Sequence, residues 1–198
     1  MTRSALRGCL VGAWLVVPVA AAAQMGGDYP ERCRIDPTIS TAVDSLVRGG
    51  LDDVRAGFEV RGLNMLRRAA DTGPIAESQW ETIFGALTPM RLADSSVAFA
   101  ARSQSRFAEC VVSHVATSRA LATARRHAEA VVVARAATTS FSSSSIAWAA
   151  LGRAIAETGD YRRSEEAFLA ALQIDSNVLQ VRPGYRMWYA RAQRGNER

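Results

Sequence analysis

Residues 145–178 read SIAWAALGRAIAETGDYRRSEEAFLAALQIDSNV, and this stretch decides the fold. Trp148, Leu151 and Ile155 recur three and four apart, which puts three large apolar groups on one face of a helix. Gly152 keeps that helix thin, so a partner can approach closely. Gly159-Asp160 supplies a turn, and Ala167, Phe168, Ala171, Leu172 and Ile174 give the apolar face of a returning helix. The pattern predicts an antiparallel helical hairpin closed by the turn chemistry of Asp175-Ser176-Asn177.

The same residues resemble a tetratricopeptide repeat: Trp-x2-Leu-Gly opens the stretch, Gly-Asp-Tyr makes its turn, and Phe-x2-Ala-Leu runs through its second helix. Ser164 stands where that family usually has alanine, and Ser176 where it usually has proline. A single such hairpin cannot bury its own faces, so the resemblance implies neighbours stacked as a short α-solenoid. Stepping back one repeat gives residues 111–144, where Ala130, Ala134 and Ala137 fall at the register of Ser164, Phe168 and Ala171. The first helix there is degenerate: His114, Thr117 and Ser118 replace Trp148, Leu151 and Gly152, while Leu121 matches Ile155. A further step aligns Trp80, Ile83 and Leu87 with Trp148, Leu151 and Ile155, although Pro89 and a missing turn glycine argue against a standard unit. On the far side, Pro183 opens a last helix to about Arg194 with Tyr185, Trp188 and Ala192 inward, the profile of a capping helix.

Toward the N-terminus, Asp36-Pro37 is a helix start and Gly49-Gly50 a helix stop. A second helix is expected from Asp52 or Asp53 to about Asp71, carrying Val54 and Phe58 on its apolar face, and a third from Ile75 to Leu87. From Pro89 to about Ser140 the helical pattern continues, with breaks expected near Ser103–Ser105 and near Arg125. The serine tract 142–145 reads as a loop with a helix cap at Ser145.

All 24 basic residues of the 198-residue chain are arginine. The absence of lysine excludes a phosphate-loop lysine, a pyridoxal Schiff base and a lysine nucleophile. A hydrophobic content of 48% with few aromatics (7%) and much alanine favours closely packed helices over a sheet, so the fold is expected to be all-α. Arg3 and Arg7 ahead of an apolar run from Cys9 to Ala23 read as a signal peptide over residues 1–23, cleaved before Gln24. Residues 24–36 form an irregular segment, and residues 37–198 the helical domain. Cleavage leaves 22 arginines against 19 acidic residues, a net charge near +3, too mild and too scattered for a nucleic-acid interface. The exported chain is expected in the periplasm or outside the cell, with no transmembrane segment after cleavage. Two cysteines then remain in an oxidising compartment, and a Cys33–Cys110 disulfide is the natural hypothesis.

No metal or cofactor signature occurs: there is no Cys-x2-Cys pair, no His-Glu-x2-His and no glycine-rich phosphate loop. Cys110 and His114 lie four apart, and the simpler reading makes Cys110 a disulfide partner or core thiol and His114 a core or rim residue. Arg119 and Arg153 occupy equivalent register positions, and the resemblance implies that first helices line a concave groove. That groove would comprise Arg119, Arg153, Val115, Ala149, Ala156 and Glu157, an apolar floor with two guanidinium groups suited to a carboxylate-bearing peptide. An Arg153–Glu157 ion pair is the competing use of the same residues. The expected function is therefore protein or peptide binding without catalysis. The alternatives are a subunit of a cell-envelope assembly, or an enzyme with its site in residues 89–140.

Overall fold

The computed structural model of the protein describes residues 37–197. All regular structure among them is helical, in the order α1 (Pro37–Arg55), α2 (Glu59–Thr72), α3 (Glu77–Leu87), α4 (Ala93–Arg106), α5 (Val111–Thr123), α6 (His127–Ser140), α7 (Ser145–Ala156), α8 (Tyr161–Ile174), α9 (Val178–Val181) and α10 (Pro183–Asn196). The signal peptide expected over 1–23, the segment 24–36 and the Cys33 half of the expected disulfide lie outside the described residues.

The helices recur with a fixed period. The second helices α2, α4, α6 and α8 all begin and end 34 residues apart, and so do the starts of α3, α5 and α7. Two residues before each second helix the backbone turns left-handed, at Gly57 (φ 86°), Arg91 (φ 61°), Arg125 (φ 62°) and Gly159 (φ 90°). The N–H of each donates to the carbonyl three residues back, at Val54, Thr88, Ala122 and Ala156, over 3.0–3.1 Å. Only two of the four turns use the residue that adopts this conformation without steric cost. The turn glycine missing from the 77–106 unit is therefore replaced by an arginine in the same conformation, and the unit forms despite Pro89.

Small residues where first and second helices cross explain why the hairpins close. Gly50 faces Gly62, where a Cβ on Gly50 would meet the Gly62 carbonyl oxygen at 2.9 Å. At the same register Ser118 Oγ donates to the Ala130 carbonyl at 2.9 Å, and Ser164 Oγ donates to the Gly152 carbonyl at 2.7 Å. Backbones this near need a small side chain or a hydroxyl that satisfies the opposing carbonyl. In the α3/α4 unit the first-helix position holds Phe84, which stacks on Trp80 with ring centroids 5.5 Å apart. The bulk keeps α3 and α4 apart, and α4 packs more broadly on α2 and α5 than on α3.

This crossing also corrects the expected stop at Gly49-Gly50. Helix α1 runs through both glycines to Arg55, because Gly50 serves the close approach of α2 while the break falls at Gly57. Val54 consequently ends α1 in the core, and Phe58, expected on the apolar face of the second helix, is its exposed N-cap. The expected breaks near 103–105 and 125 appear as the α4–α5 and α5–α6 turns. The cap of α7 is Ser144, whose Oγ accepts from Ala147 N at 3.4 Å, whereas Ser145 is buried within the first turn.

Helices α5 and α7 are the central ones. Along α5 the side chains from Val111 to Ala122 are buried apart from Arg119, and α7 is buried at nearly every position. Helix α10 packs across α7 and α8, with Ala192 buried, Gly195 set against the Tyr161 ring, and Asn196 Nδ2 donating to Glu165 Oε2 at 2.9 Å. None of the described helices is long and apolar enough to cross a membrane.

Candidate functional site

The two arginines at equivalent positions of α5 and α7 are brought to one place. Arg119 forms an ion pair with Glu81 of α3 and lies over the Phe84 ring at 5.3 Å. Arg153 Nε donates to Glu157 Oε1 at 3.1 Å, the pairing that the competing sequence reading anticipated, and its guanidinium lies 5.8 Å from the Trp188 ring centroid. Tyr185 of α10 lines the same small space as the two arginines, together with Val115, Ser118, Ala122, Ala150 and Ala154. The space left is about 10 Å³, room for a single water.

The chain thus fills this part of its own groove. Val115, Ala149 and Ala156 are buried, so the apolar floor belongs to the core, and the Glu157 side chain is only 9% exposed. Burial lowers the Arg119 guanidinium to about 10, with the neighbouring Arg153 charge adding to the effect. Burial also raises the Tyr185 phenol to about 12, with Glu77 contributing. At neutral pH both keep their ordinary forms, a cation beside an un-ionised phenol. A clasp closes the arrangement: Arg182 Nε, just before α10, donates to Glu77 Oε2 at the start of α3 over 3.0 Å.

Glu157 Oε2 approaches His127 Nδ1 at 3.4 Å, and both atoms are buried without a hydrogen bond. One carboxylate therefore sits between Arg153 of its own helix and the first residue of α6. The two histidines occupy different helices and do not meet. Among the described residues no three of His, Cys, Asp and Glu converge in a way that could hold a metal ion.

His114 has a structural explanation written in the repeat. Trp148 Nε1 donates to the carbonyl of Ser142, six residues back, at 3.0 Å. One period earlier His114 Nε2 meets the Ala108 carbonyl, also six back, at 2.8 Å. A carbonyl can only accept, so Nε2 carries the hydrogen, and Nδ1 accepts from Gln104 Nε2 at 3.0 Å. The imidazole does the work of the indole. Elsewhere in residues 89–140, Ser103 Oγ and Ser113 Oγ pair at 3.3 Å, and Thr117 Oγ1 donates to the Ser113 carbonyl at 2.9 Å. These buried polar groups find partners within the fold. Cys110 is buried at the N-cap of α5, one residue before the helix that carries His114.

A wider opening lies farther along the row of first helices, between α1 and α3, and sequence reasoning did not find it. A cleft of about 220 Å³ is lined by Asp44, Val47, Arg48, Leu51 and Arg55 of α1 and by Gln79 and Thr82 of α3. Val47 and Leu51 are buried and form its floor. Gln79 Nε2 donates to Asp44 Oδ1 across it, and Arg55 pairs with Asp52 at 3.1 Å, leaving the Arg48 side chain exposed with no ion pair or hydrogen bond to another described residue. The signal present in the sequence was the Val47-Arg48-x2-Leu51-x3-Arg55 spacing, which the expected stop at Gly49-Gly50 had divided between two helices.

The chain matches no known family model, and a search of curated proteins finds no significant match.

Proposed function

We propose that this is an exported helical-repeat protein of the tetratricopeptide type that binds a protein or peptide partner and performs no catalysis of its own. The observation that carries the reading is the 34-residue recurrence of the second helices and of their left-handed turns. Units that repeat in this way line up successive first helices along one side, and where α1 and α3 leave a cleft there the surface serves binding more readily than chemistry. The test is cross-linking in cells followed by capture of the tagged full-length chain from the envelope fraction. A partner enriched over a tag-only control is expected, and no enrichment would refute the reading. If the partner is lost from the Arg119→Ala, Arg153→Ala variant, the surface around α5 and α7 takes part, and Tyr185 must then move aside.

Export also fits a Cys33–Cys110 bridge. Closing the 78-residue loop between them would stabilise the fold by about 4.5 kcal/mol on the loop-entropy account. Iodoacetamide applied to the denatured, unreduced protein should leave both cysteines unlabelled. Labelling of both would remove the bridge from the proposal.

A further inference from the structure

We infer that the cleft between α1 and α3 is a docking site for an acidic peptide segment, in which an aliphatic side chain enters the cleft and a neighbouring Asp or Glu side chain pairs with Arg48. The inference rests on the peptide-binding reading and names where, and by what chemistry, that binding occurs.

Three observations converge on it. The first is size. Pockets that enclose cofactors or drug-sized ligands are usually about 300–1,000 Å³, and about 220 Å³ falls below that range while fitting one or two side chains of a peptide. The second is polarity. The floor of Val47 and Leu51 asks for an apolar group, and of the two guanidinium groups at the rim Arg55 holds Asp52 while Gln79 engages the Asp44 carboxylate, so Arg48 is the rim cation without a carboxylate partner among the described residues. The third is availability. Arg119 and Arg153 hold Glu81 and Glu157 and are packed around Tyr185, whereas Arg48 sits at an open rim without an ion pair to a described residue. An exposed guanidinium can take a carboxylate bidentately without first breaking an internal pair. Arg55, seven residues and two turns along the same face from Arg48, pairs among the described residues only with the exposed Asp52 and can exchange it for a second acidic side chain.

The test uses the exported chain, residues 24–198, and a fluorescein-labelled dodecapeptide alternating leucine with aspartate, with asparagine replacing aspartate in the control. Fluorescence anisotropy should show saturable binding of the acidic peptide that weakens with added salt, and at least about tenfold weaker binding of the control. Arg48→Glu should weaken the acidic peptide by at least about tenfold, and Thr82→Trp, which fills the cleft, should do the same without reversing charge. Both positions are exposed, so thermal melts should stay near that of the parent. Equal binding of the two peptides, no binding of the acidic one, or unchanged affinity in Arg48→Glu would overturn the inference. Capture from the envelope separates the two levels. A partner retained by both variants leaves the binding reading intact and removes the cleft, whereas a parent chain that captures nothing refutes the reading itself.

Discussion

Replacing Gly152 by alanine should destabilise the protein, although alanine is the better helix former by about 1 kcal/mol. Gly152 lies inside α7 at the crossing with α8, and a Cβ built there would sit 2.8, 2.9 and 3.0 Å from three carbons of the Phe168 ring. Carbon atoms prefer about 3.5–4.0 Å. The ring has no room to retreat, because Phe168 is fully buried and meets Tyr189 of α10 edge-on at 5.5 Å between centroids. Overpacking of this kind costs about 1–3 kcal/mol, which outweighs the propensity gain and leaves a net loss of up to about 2 kcal/mol. Gly85 is the internal control. It lies within α3, exposed, with nothing near an added Cβ, so Gly85→Ala should stabilise by about 0.5–1 kcal/mol. Urea denaturation followed by circular dichroism should therefore move the two midpoints in opposite directions at unchanged slope. In a Phe168→Leu background Gly152→Ala should cost at least about 1 kcal/mol less than in the parent, since the obstructing ring is gone. A stabilising Gly152→Ala, or an equal cost in both backgrounds, would refute the claim that the glycine is there for the crossing.

Four further substitutions test other joints of the fold. Arg125→Gly and Arg91→Gly remove side chains from left-handed, exposed positions, and each should raise stability by about 0.5–1 kcal/mol in the same urea assay; a loss at both would mean that the arginines anchor the turns. His114→Phe keeps a ring but leaves the Ala108 carbonyl and Gln104 unpartnered, so it should cost about 1–3 kcal/mol, and a neutral result would show that the imidazole hydrogen bonds contribute nothing. Asp71, at the end of α2, accepts from Arg102 of α4 at 2.5 and 2.8 Å, and this pairing holds its carboxyl below the ordinary value near 3.8. Its contribution is present above that value and is lost as pH falls through the lowered one. Asp71→Asn should therefore be less stable than the parent by under about 1 kcal/mol near pH 6, with the gap closing as both are titrated toward about pH 2; a gap that widens in acid would contradict the assignment.

What could be read from the chain followed the strength of local chemistry. The 145–178 hairpin was legible because its turn uses Gly159 and its crossing uses Gly152, residues whose backbone roles are visible in one letter. The 77–106 and 111–140 units make the same turn with Arg91 and Arg125, which announce nothing about φ, and there only the spacing of the apolar residues remained as a guide. Gly49-Gly50 misled for the converse reason. A glycine ends a helix when the chain must turn left-handed, but it also sits mid-helix where another backbone comes close, and only the position of Gly62 separates the two uses.

The arginines show the same limit at the level of the site. Register places Arg119 and Arg153 side by side, and they do come together, but register carries no information about what lies over them. Tyr185 arrives from α10, and Glu81 from α3, both elements distant in sequence. One signal did point that way: α5 carries no charged residue other than Arg119 over its whole length, and a helix without a polar face belongs inside a fold. Arg119 is then a half-buried cation held by Glu81 and Phe84, and a ligand that sought it would first have to displace Glu81 and pass Tyr185. Arg48 asks for no such exchange, since its guanidinium is already in solvent beside an apolar floor. This difference in prior engagement, more than any difference in charge, is what moves the expected binding surface from α5 and α7 to the open end between α1 and α3.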